Sequence, residues 1–202
     1  MNILGRYIVV LLFFVTSQSN LICEELTLFS ASLHEGNQGH TGALGRVIDV
    51  KEAIRVTEIG AFESNQTAPY KIKVAIYNNS TKELVPGSKI YEINRENSSR
   101  EKKYRFMKVE SFVLPPGSYM LVAQGYYYDQ QNGNTCYGGA GPGVKGVDCI
   151  AVGSSAWDEG GMIYPSRPDG NAYHAANIKF MKASDSVTLN NQPGSTMIRR
   201  RN

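Results

Sequence analysis

Residues 70–77, YKIKVAIY, decide the fold of this chain. Tyrosine, isoleucine and valine at positions 70, 72, 74 and 76 alternate with two lysines, an alanine and a tyrosine. This period of two is typical of a β-strand that buries one of its faces. Asn78-Asn79-Ser80 follows directly and is a turn signal. The sequence therefore predicts a half-buried strand that ends in a turn.

Further strand signals recur along the chain, with turn signals between them. The segments are 47–50, 54–62, 89–93, 104–109, 119–124 and 177–181. Leu114-Pro115-Pro116-Gly117 places a turn just before the strand at Tyr119. No segment repeats its apolar residues with the helical period of 3.6, and 20 glycines and 12 tyrosines suit short strands and tight turns. We therefore predict an all-β fold, a jelly-roll-like antiparallel β-sandwich.

The first 19 residues have the three parts of a cleavable secretory signal peptide. Arg6 supplies positive charge, residues 7–15 form the apolar core, and Ser17 and Ser19 are small residues suited to cleavage. The apolar core is much shorter than the roughly 20 residues that a membrane-spanning helix needs. We predict a secreted protein without a membrane span, comprising a signal peptide (1–19), a β-sandwich domain (20–182) and a polar, basic, disordered tail (183–202).

The net charge of +3 comes from the two ends of the chain. Arg6 lies in the leader, and Arg199, Arg200 and Arg201 lie in the tail. The predicted domain lacks the basic surplus that nucleic-acid binding requires, so nucleic acid is not a predicted partner. We interpret the arginine tail as a solvated terminus rather than a processing site or a contact with anionic glycan or membrane.

The cysteines and glycosylation sequons suit an extracellular setting. Cys136 and Cys149 enclose a Gly-rich loop, and a disulfide between them would stabilise the fold by on the order of 3 kcal/mol. Cys23 is then left to depart with the signal peptide, stay free or pair between chains. Asn-X-Ser/Thr sequons predict N-glycosylation in turn-like segments, at Asn65, Asn78, Asn79 and Asn97.

Short motifs occur in a defined order along residues 36–181. They are GNQ at 36–38, LGRVIDV at 44–50, IGAFES at 59–64, VAIY at 74–77, LPPGSY at 114–119, GY at 125–126 with NGN at 132–134, and NAYHAANIKF at 171–180. This order resembles the β-sandwich ectodomains of bacterial secreted proteins of the PEP-CTERM-sorted type. The sorting helix of those proteins has no counterpart here. The resemblance implies a sandwich fold and an extracellular setting, and it implies no catalytic residues.

The candidate catalytic and metal-binding residues match no established pattern. The candidates are His34, His40, His174, Asp148, Asp158, Glu159 and Asp169. The histidines lack zinc-ligand spacing, and the carboxylates fit no EF-hand. Paired carboxylates would suit glycoside hydrolysis, whereas Gly153-Ser154-Ser155 is not a nucleophile elbow. We therefore predict no cofactor, no metal and no enzymatic activity, and we keep a secreted glycan hydrolase as an alternative.

Residues 125–134, GYYYDQQNGN, combine aromatic rings with amides and a carboxylate, the groups that sugar-binding surfaces use. Successive strand residues point to opposite faces, so three consecutive tyrosines cannot all be buried on one side. The predicted ligand-binding residues are Tyr126, Tyr127, Tyr128, Asn132, Asn134 and Trp157. The sequence thus predicts an extracellular binding or matrix module whose partner is a glycan or matrix polymer. A structural extracellular-matrix protein with no discrete ligand site is the other alternative.

Overall fold

The structure, a computed structural model, describes residues 24–29, 39–63, 70–127, 136–138 and 147–186. The strands are β1 Leu26–Thr27, β2 His40–Val50, β3 Ile54–Phe62, β4 Lys71–Asn78, β5 Tyr91–Asn94, β6 Ser99–Glu101, β7 Tyr104–Leu114, β8 Gly117–Tyr126, β9 Cys136–Gly138, β10 Ile150–Asp158, β11 Arg167–Asp169, β12 Asn171–Tyr173 and β13 Ala176–Lys182. A short 3-10 helix, Ala183–Ser186, follows β13. Within these ranges, no helix has the length and apolar character to cross a membrane.

The strands form two antiparallel sheets packed face to face. The five-stranded sheet has the order β1-β13-β3-β7-β6, and the six-stranded sheet has the order β11-β10-β2-β8-β4-β5. A two-stranded ribbon, β9 with β12, adds to them. The chain passes repeatedly from one sheet to the other, for example between β2 and β3 and between β7 and β8. The predicted antiparallel β-sandwich is confirmed.

Most of the sequence signals fall on observed strands. The predicted strand 54–62 has the bounds of β3, and the signals at 47–50, 104–109 and 119–124 lie within the longer strands β2, β7 and β8. The prediction missed β10, because its sequence IAVGSSAWD has glycine and serine where alternating apolar residues would mark a strand.

The hydrophobic core lies between the two sheets. Ile72, Val74 and Ile76 of β4 are completely buried, as the alternation in residues 70–77 predicted. They meet aliphatic residues from neighbouring strands, including Leu44, Ile48, Ile54, Val56, Ile59 and Ile178. Burying each such side chain contributes about 1.5–3 kcal/mol relative to leaving it in water. This core fixes the two sheets against each other, and the ends of the strands therefore keep fixed positions.

A second apolar cluster covers part of the outer face of the six-stranded sheet. It contains Ala43, Ala75, Tyr77, Met120, Val122 and Ala156, with Met162 and Tyr164 packed against it. We call residues 159–166 the outer strap, because they lie over this face. The Tyr77 hydroxyl donates to the backbone oxygen of Met162 at 3.1 Å. Tyr77, predicted on the less buried face of β4, is therefore only 6% exposed.

Two glycines of β2 let the strap approach the sheet. A Cβ atom at Gly42 would lie 1.8 Å from the backbone oxygen of Asp158. At Gly45 a Cβ atom would lie 2.5 Å from the Pro165 ring. Both distances are far below van der Waals contact, so the strap can lie where it does only because these positions carry no side chain.

Candidate functional site

A cleft opens where the first residue of β2 lies beside the end of β10. It has a volume of about 230 Å³ and is lined by His40, Trp157, Asp169, Asn171 and Tyr173. We call it the Trp157 cleft. It combines three ring side chains with a carboxylate and an amide.

The strand register explains why these side chains meet. Trp157 of β10 pairs with Leu44 of β2 and with Arg167 of β11, and Ser155 pairs with Asp169. Residues paired across antiparallel strands point to the same face. Leu44 is part of the buried core, so Trp157 and Asp169 also lie on the inner face of the six-stranded sheet. The cleft therefore forms on this face, at the edge of the core against which Trp157 packs.

The Trp157 ring is held by two neighbours. The Arg167 guanidinium carbon lies 4.7 Å from the ring centroid, in a cation–π arrangement. The His40 ring stands nearly perpendicular to the indole, with centroids 5.7 Å apart. His40 Nε2 in turn donates to the backbone oxygen of Asp158 at 3.1 Å. These contacts fix the orientation of the indole before any ligand arrives.

Asp169 in the cleft is held as a carboxylate by its hydrogen bonds. Its Oδ1 accepts from the backbone N–H of Asn171 at 2.9 Å, and its Oδ2 accepts from the Tyr173 hydroxyl. Burial raises the pKa of Asp169, but the bonds from Tyr173 and Asn171 outweigh it and leave the pKa below its ordinary value. Asp169 is therefore an acceptor for hydroxyl groups at neutral pH.

Asp158 lies beside the cleft, as the last residue of β10 before the outer strap. Its Oδ2 accepts from the Ser166 hydroxyl at 2.8 Å, and its Oδ1 accepts from the Gly160 N–H at 3.2 Å. The hydrogen bond from Ser166 lowers the pKa of Asp158, and the bond from Gly160 adds to this effect. Glu159, a further candidate, pairs with Arg167 at 3.1 Å on the exposed surface.

Arg46 is buried behind the cleft, on the same face of β2 as Leu44. Its Nη1 donates to the Ser155 hydroxyl oxygen at 2.9 Å, and this oxygen also accepts from the Tyr173 N–H at 3.1 Å. Burial lowers the pKa of Arg46. Sequence reasoning did not single out this arginine, because a charge among the apolar residues of a strand gives no sign of which face it takes.

The predicted ligand-binding residues are not brought into one site. Trp157 lines the cleft, but Tyr126 is completely buried, and its hydroxyl donates to the backbone oxygens of Phe62 and Ala175. This burial corrects the prediction that Tyr126 offers its ring to a ligand. Tyr127 is 37% exposed and lies apart from the Trp157 cleft. Tyr128, Asn132 and Asn134 lie outside the described residues.

Tyr127 belongs to a second cleft of about 240 Å³. The other lining residues are Lys71, Lys73, Glu92, Gln124 and Gly125. Lys71 and Glu92 form an exposed ion pair across it at 3.2 Å. The second cleft offers one aromatic ring, whereas the Trp157 cleft offers three.

The candidate metal ligands stay separate. His40 lines the cleft, His34 lies outside the described residues, and His174 is buried and stacks on Phe29 with ring centroids 4.6 Å apart. Burial and the charge of Arg46 lower the pKa of His174 to about 4. In the part of the chain that the structure describes, no three histidine, cysteine or acidic side chains are arranged to hold a metal. Asp148 does not join Asp169 in the cleft.

The predicted disulfide between Cys136 and Cys149 is not formed, since Cys149 is a buried free thiol. Cys136 is the cross-strand partner of Tyr173, whose backbone N–H donates to the Ser155 hydroxyl oxygen. Cys149 immediately precedes β10, and the chain from there to Ser155 spans roughly 20 Å when extended. A disulfide requires Cα atoms within about 7 Å. Cys136 and Cys149 are therefore close in the sequence but too far apart in the fold to form a disulfide.

The predicted glycosylation sites differ in what their amides already bind. Asn79 Nδ2 donates to the Ser118 hydroxyl at 3.1 Å, and its Oδ1 accepts from the Tyr164 hydroxyl. Asn97 Nδ2 donates to a backbone oxygen at 2.8 Å. Asn78 uses its Oδ1 to accept from two backbone N–H groups of the turn, and Asn65 lies outside the described residues. A glycan on Asn78 would therefore disturb fewer contacts than one on Asn79.

No family model matches this chain, and no curated protein matches it. The resemblance to PEP-CTERM-type ectodomains stays a prediction.

Proposed function

We propose that this protein is a secreted carbohydrate-binding module and that the Trp157 cleft holds a sugar unit of its ligand. One observation carries the proposal: the cleft places an indole ring beside an ionised carboxylate, an amide and an imidazole. Aromatic rings stack on the C–H faces of sugars, and carboxylates and amides bind the hydroxyl groups at the ring edge. The secretory setting rests on the signal-peptide pattern of the first 19 residues.

The size and rigidity of the cleft support a small ligand unit. Its volume of about 230 Å³ is below the roughly 300–1,000 Å³ of pockets for drug-sized molecules. This volume suits one unit of a longer glycan. Arg167 and His40 fix the indole, and Tyr173 fixes the Asp169 carboxylate. A site ordered in advance loses less conformational entropy on binding.

The lowered pKa values favour binding over hydrolysis. Glycoside hydrolysis needs one carboxyl group that keeps its proton near neutral pH and acts as the general acid. The pKa of Asp158 and the pKa of Asp169 both lie below their ordinary values. Both groups are therefore unsuited to donating a proton, and Asp169, which lines the cleft, is suited to accepting hydrogen bonds from sugar hydroxyls.

The single tryptophan makes a direct test available. The chain contains one tryptophan, so its fluorescence reports the cleft alone. We expect a saturable change in emission with one or more members of a panel of neutral polysaccharides and monosaccharides, with and without Ca²⁺. Asn171→Ala should weaken this binding, and Trp157→Phe should retain binding in a pull-down assay because it keeps an aromatic face.

Tyr127→Ala is the matched control, because Tyr127 is exposed outside the Trp157 cleft. This variant should bind like the wild type. The proposal fails if a folded protein shows neither an emission change nor retention with any member of the panel. That result would favour the alternative of a structural matrix protein with no discrete ligand site.

A further inference from the structure

The carboxylate of Glu63, directly after β3, is surrounded by arginines. Glu63 is completely buried, and its Oε1 accepts from Nε of Arg95 and from Nε of Arg105, both at 3.1 Å. Nε of Arg100 lies 2.8 Å from the other carboxylate oxygen. Arg100 and Arg105 together carry two positive charges against the one negative charge of Glu63, and Arg95 adds a third positive charge. The cluster therefore carries positive charge in excess.

The strand register forces two of these cations together. Arg100 of β6 is the cross-strand partner of Arg105 of β7. Like charges placed directly opposite on neighbouring strands repel each other and destabilise the pair. Glu63 offsets part of this repulsion, since one carboxylate can balance one of the two charges. A second anion at the cluster would offset the remainder.

The cluster keeps donors at the surface. The side chains of Arg95, Arg100 and Arg105 are 33%, 25% and 13% exposed. Each guanidinium has five N–H donors in a planar fork, and Glu63 is approached by the Nε of each. Arg105 Nη1 donates to the backbone oxygen of Ser98.

The cluster lies at the same end of the sandwich as the Trp157 cleft. Glu63 follows Phe62, whose backbone oxygen accepts from the Tyr126 hydroxyl at 3.2 Å. Tyr126 is the cross-strand partner of His40, which lines the cleft. The arginines and the cleft are therefore near enough for one extended polymer to reach both.

We propose that Arg95, Arg100 and Arg105 form a site for an oxyanion, the carboxylate or sulfate group of an acidic polysaccharide. Guanidinium forks bind such groups through paired, charge-assisted hydrogen bonds. The oxyanion chemistry rests on the arginines, whereas the choice of a polysaccharide rests on the proposed function.

The test measures the affinity of the full chain for dextran sulfate and for polygalacturonate, with uncharged dextran as the reference polymer. We expect binding to at least one acidic polymer that exceeds binding to dextran. Arg100→Gln should weaken it about tenfold, the loss expected for one charge-assisted contact. Comparing the two acidic polymers separates a sulfate ligand from a carboxylate ligand.

Lys108→Gln is the matched control, because it removes one positive charge from an exposed residue of the same strand as Arg105. It should leave the affinity within about twofold of the wild type, since a distant exposed charge is largely screened. Arg95→Gln, at the most exposed arginine of the three, serves as a second variant if Arg100→Gln unfolds. If the arginine and lysine variants lose affinity equally, binding depends only on the net charge of the protein, and the proposal is overturned.

The outcomes separate this site from the Trp157 cleft. Trp157→Ala should lose the neutral sugar and keep the arginine-dependent binding of the acidic polymer. Failure of the proposed function would appear as neither a fluorescence change nor retention with any neutral sugar. Failure of the oxyanion site would appear as no binding to either acidic polymer, or as arginine-dependent binding of single-stranded DNA in their place.

Discussion

Glu63 and Arg46 are both charged and both buried in this sandwich, and their surroundings are opposite. Glu63 lies within ion-pair distance of three arginines, whereas Arg46 has the Ser155 hydroxyl as its partner and no ion pair with any described acidic residue. Burying a charge is costly, and opposite charges and hydrogen bonds offset that cost. The partner of a buried charge therefore decides how its removal changes the stability of the fold. Neutralising Glu63 leaves the positive charges of the three arginines to repel one another. Neutralising Arg46 removes the free-energy cost of keeping a cation away from water.

Glu63→Gln should produce the largest effect. It leaves three arginines around a neutral amide, and removing one partner of a buried ion pair typically costs about 3–5 kcal/mol. The measurement is the free energy of unfolding in urea. Glu92→Gln is the control, because Glu92 pairs with Lys71 on the exposed surface and such pairs contribute at most about 1 kcal/mol. Similar losses in the two variants would contradict this account of the cluster.

His174, next to the charge of Arg46, should make the fold sensitive to acid. The pKa of His174 is about 4 in the folded protein, against about 6.5 for an unperturbed histidine. Between these values the unfolded chain binds a proton that the folded chain does not, so stability falls as the pH falls. The stabilisation is fully present above about pH 6.5, and about 3 kcal/mol is lost on reaching pH 4.

Unfolding free energies measured across this range check the prediction. His174→Gln has no titrating ring at this position and should flatten the curve between pH 6.5 and 4. An unchanged slope in that variant would assign the acid sensitivity to other groups.

Arg46→Met should have the smallest effect on stability at neutral pH. The substitution replaces a buried cation by an apolar chain of similar length, which is often neutral or stabilising. Ser155 still accepts from the Tyr173 N–H. The variant should also raise the pKa of His174, because the charge of Arg46 contributes to lowering it, and the acid-induced loss should shrink.

The checks are the unfolding free energy of Arg46→Met at pH 7 and the NMR titration of the His174 ring. A large loss of stability would show that Arg46 is neutralised by a group beyond the described residues. Arg46 would then be a buried charge with an opposite charge beside it, as Glu63 is.

The sequence predicted the sandwich because strand periodicity is local. The alternation in residues 70–77 identified the core face of β4, and β3 was predicted with its observed bounds. The outer strap was not predictable in this way, because it returns to cover Tyr77 from far along the chain. Tyr126 was misassigned for a related reason, since a run of tyrosines does not say which of them points inward.

The site was predicted only in part. Trp157 was predicted to bind ligand as an aromatic residue beyond the tyrosine- and amide-rich segment 125–134, and it does line a cleft. Its neighbours Asp169, Asn171 and Tyr173 come from β11 and β12, and their approach depends on pairing across strands. The Glu63 cluster was missed because its arginines are separated from Glu63 in the sequence and converge only when β6 pairs with β7.

The bare backbone at Gly42 and Gly45 has a consequence for how this chain can change during evolution. The two positions carry no functional group, yet the strap that they admit begins two residues after Trp157 and ends next to Arg167. In a saturation mutagenesis screen scored by glycan retention, both glycines should therefore be as intolerant as the residues that line the cleft. Among natural descendants of this sequence, a larger residue at either position should appear only together with a rebuilt or shortened strap.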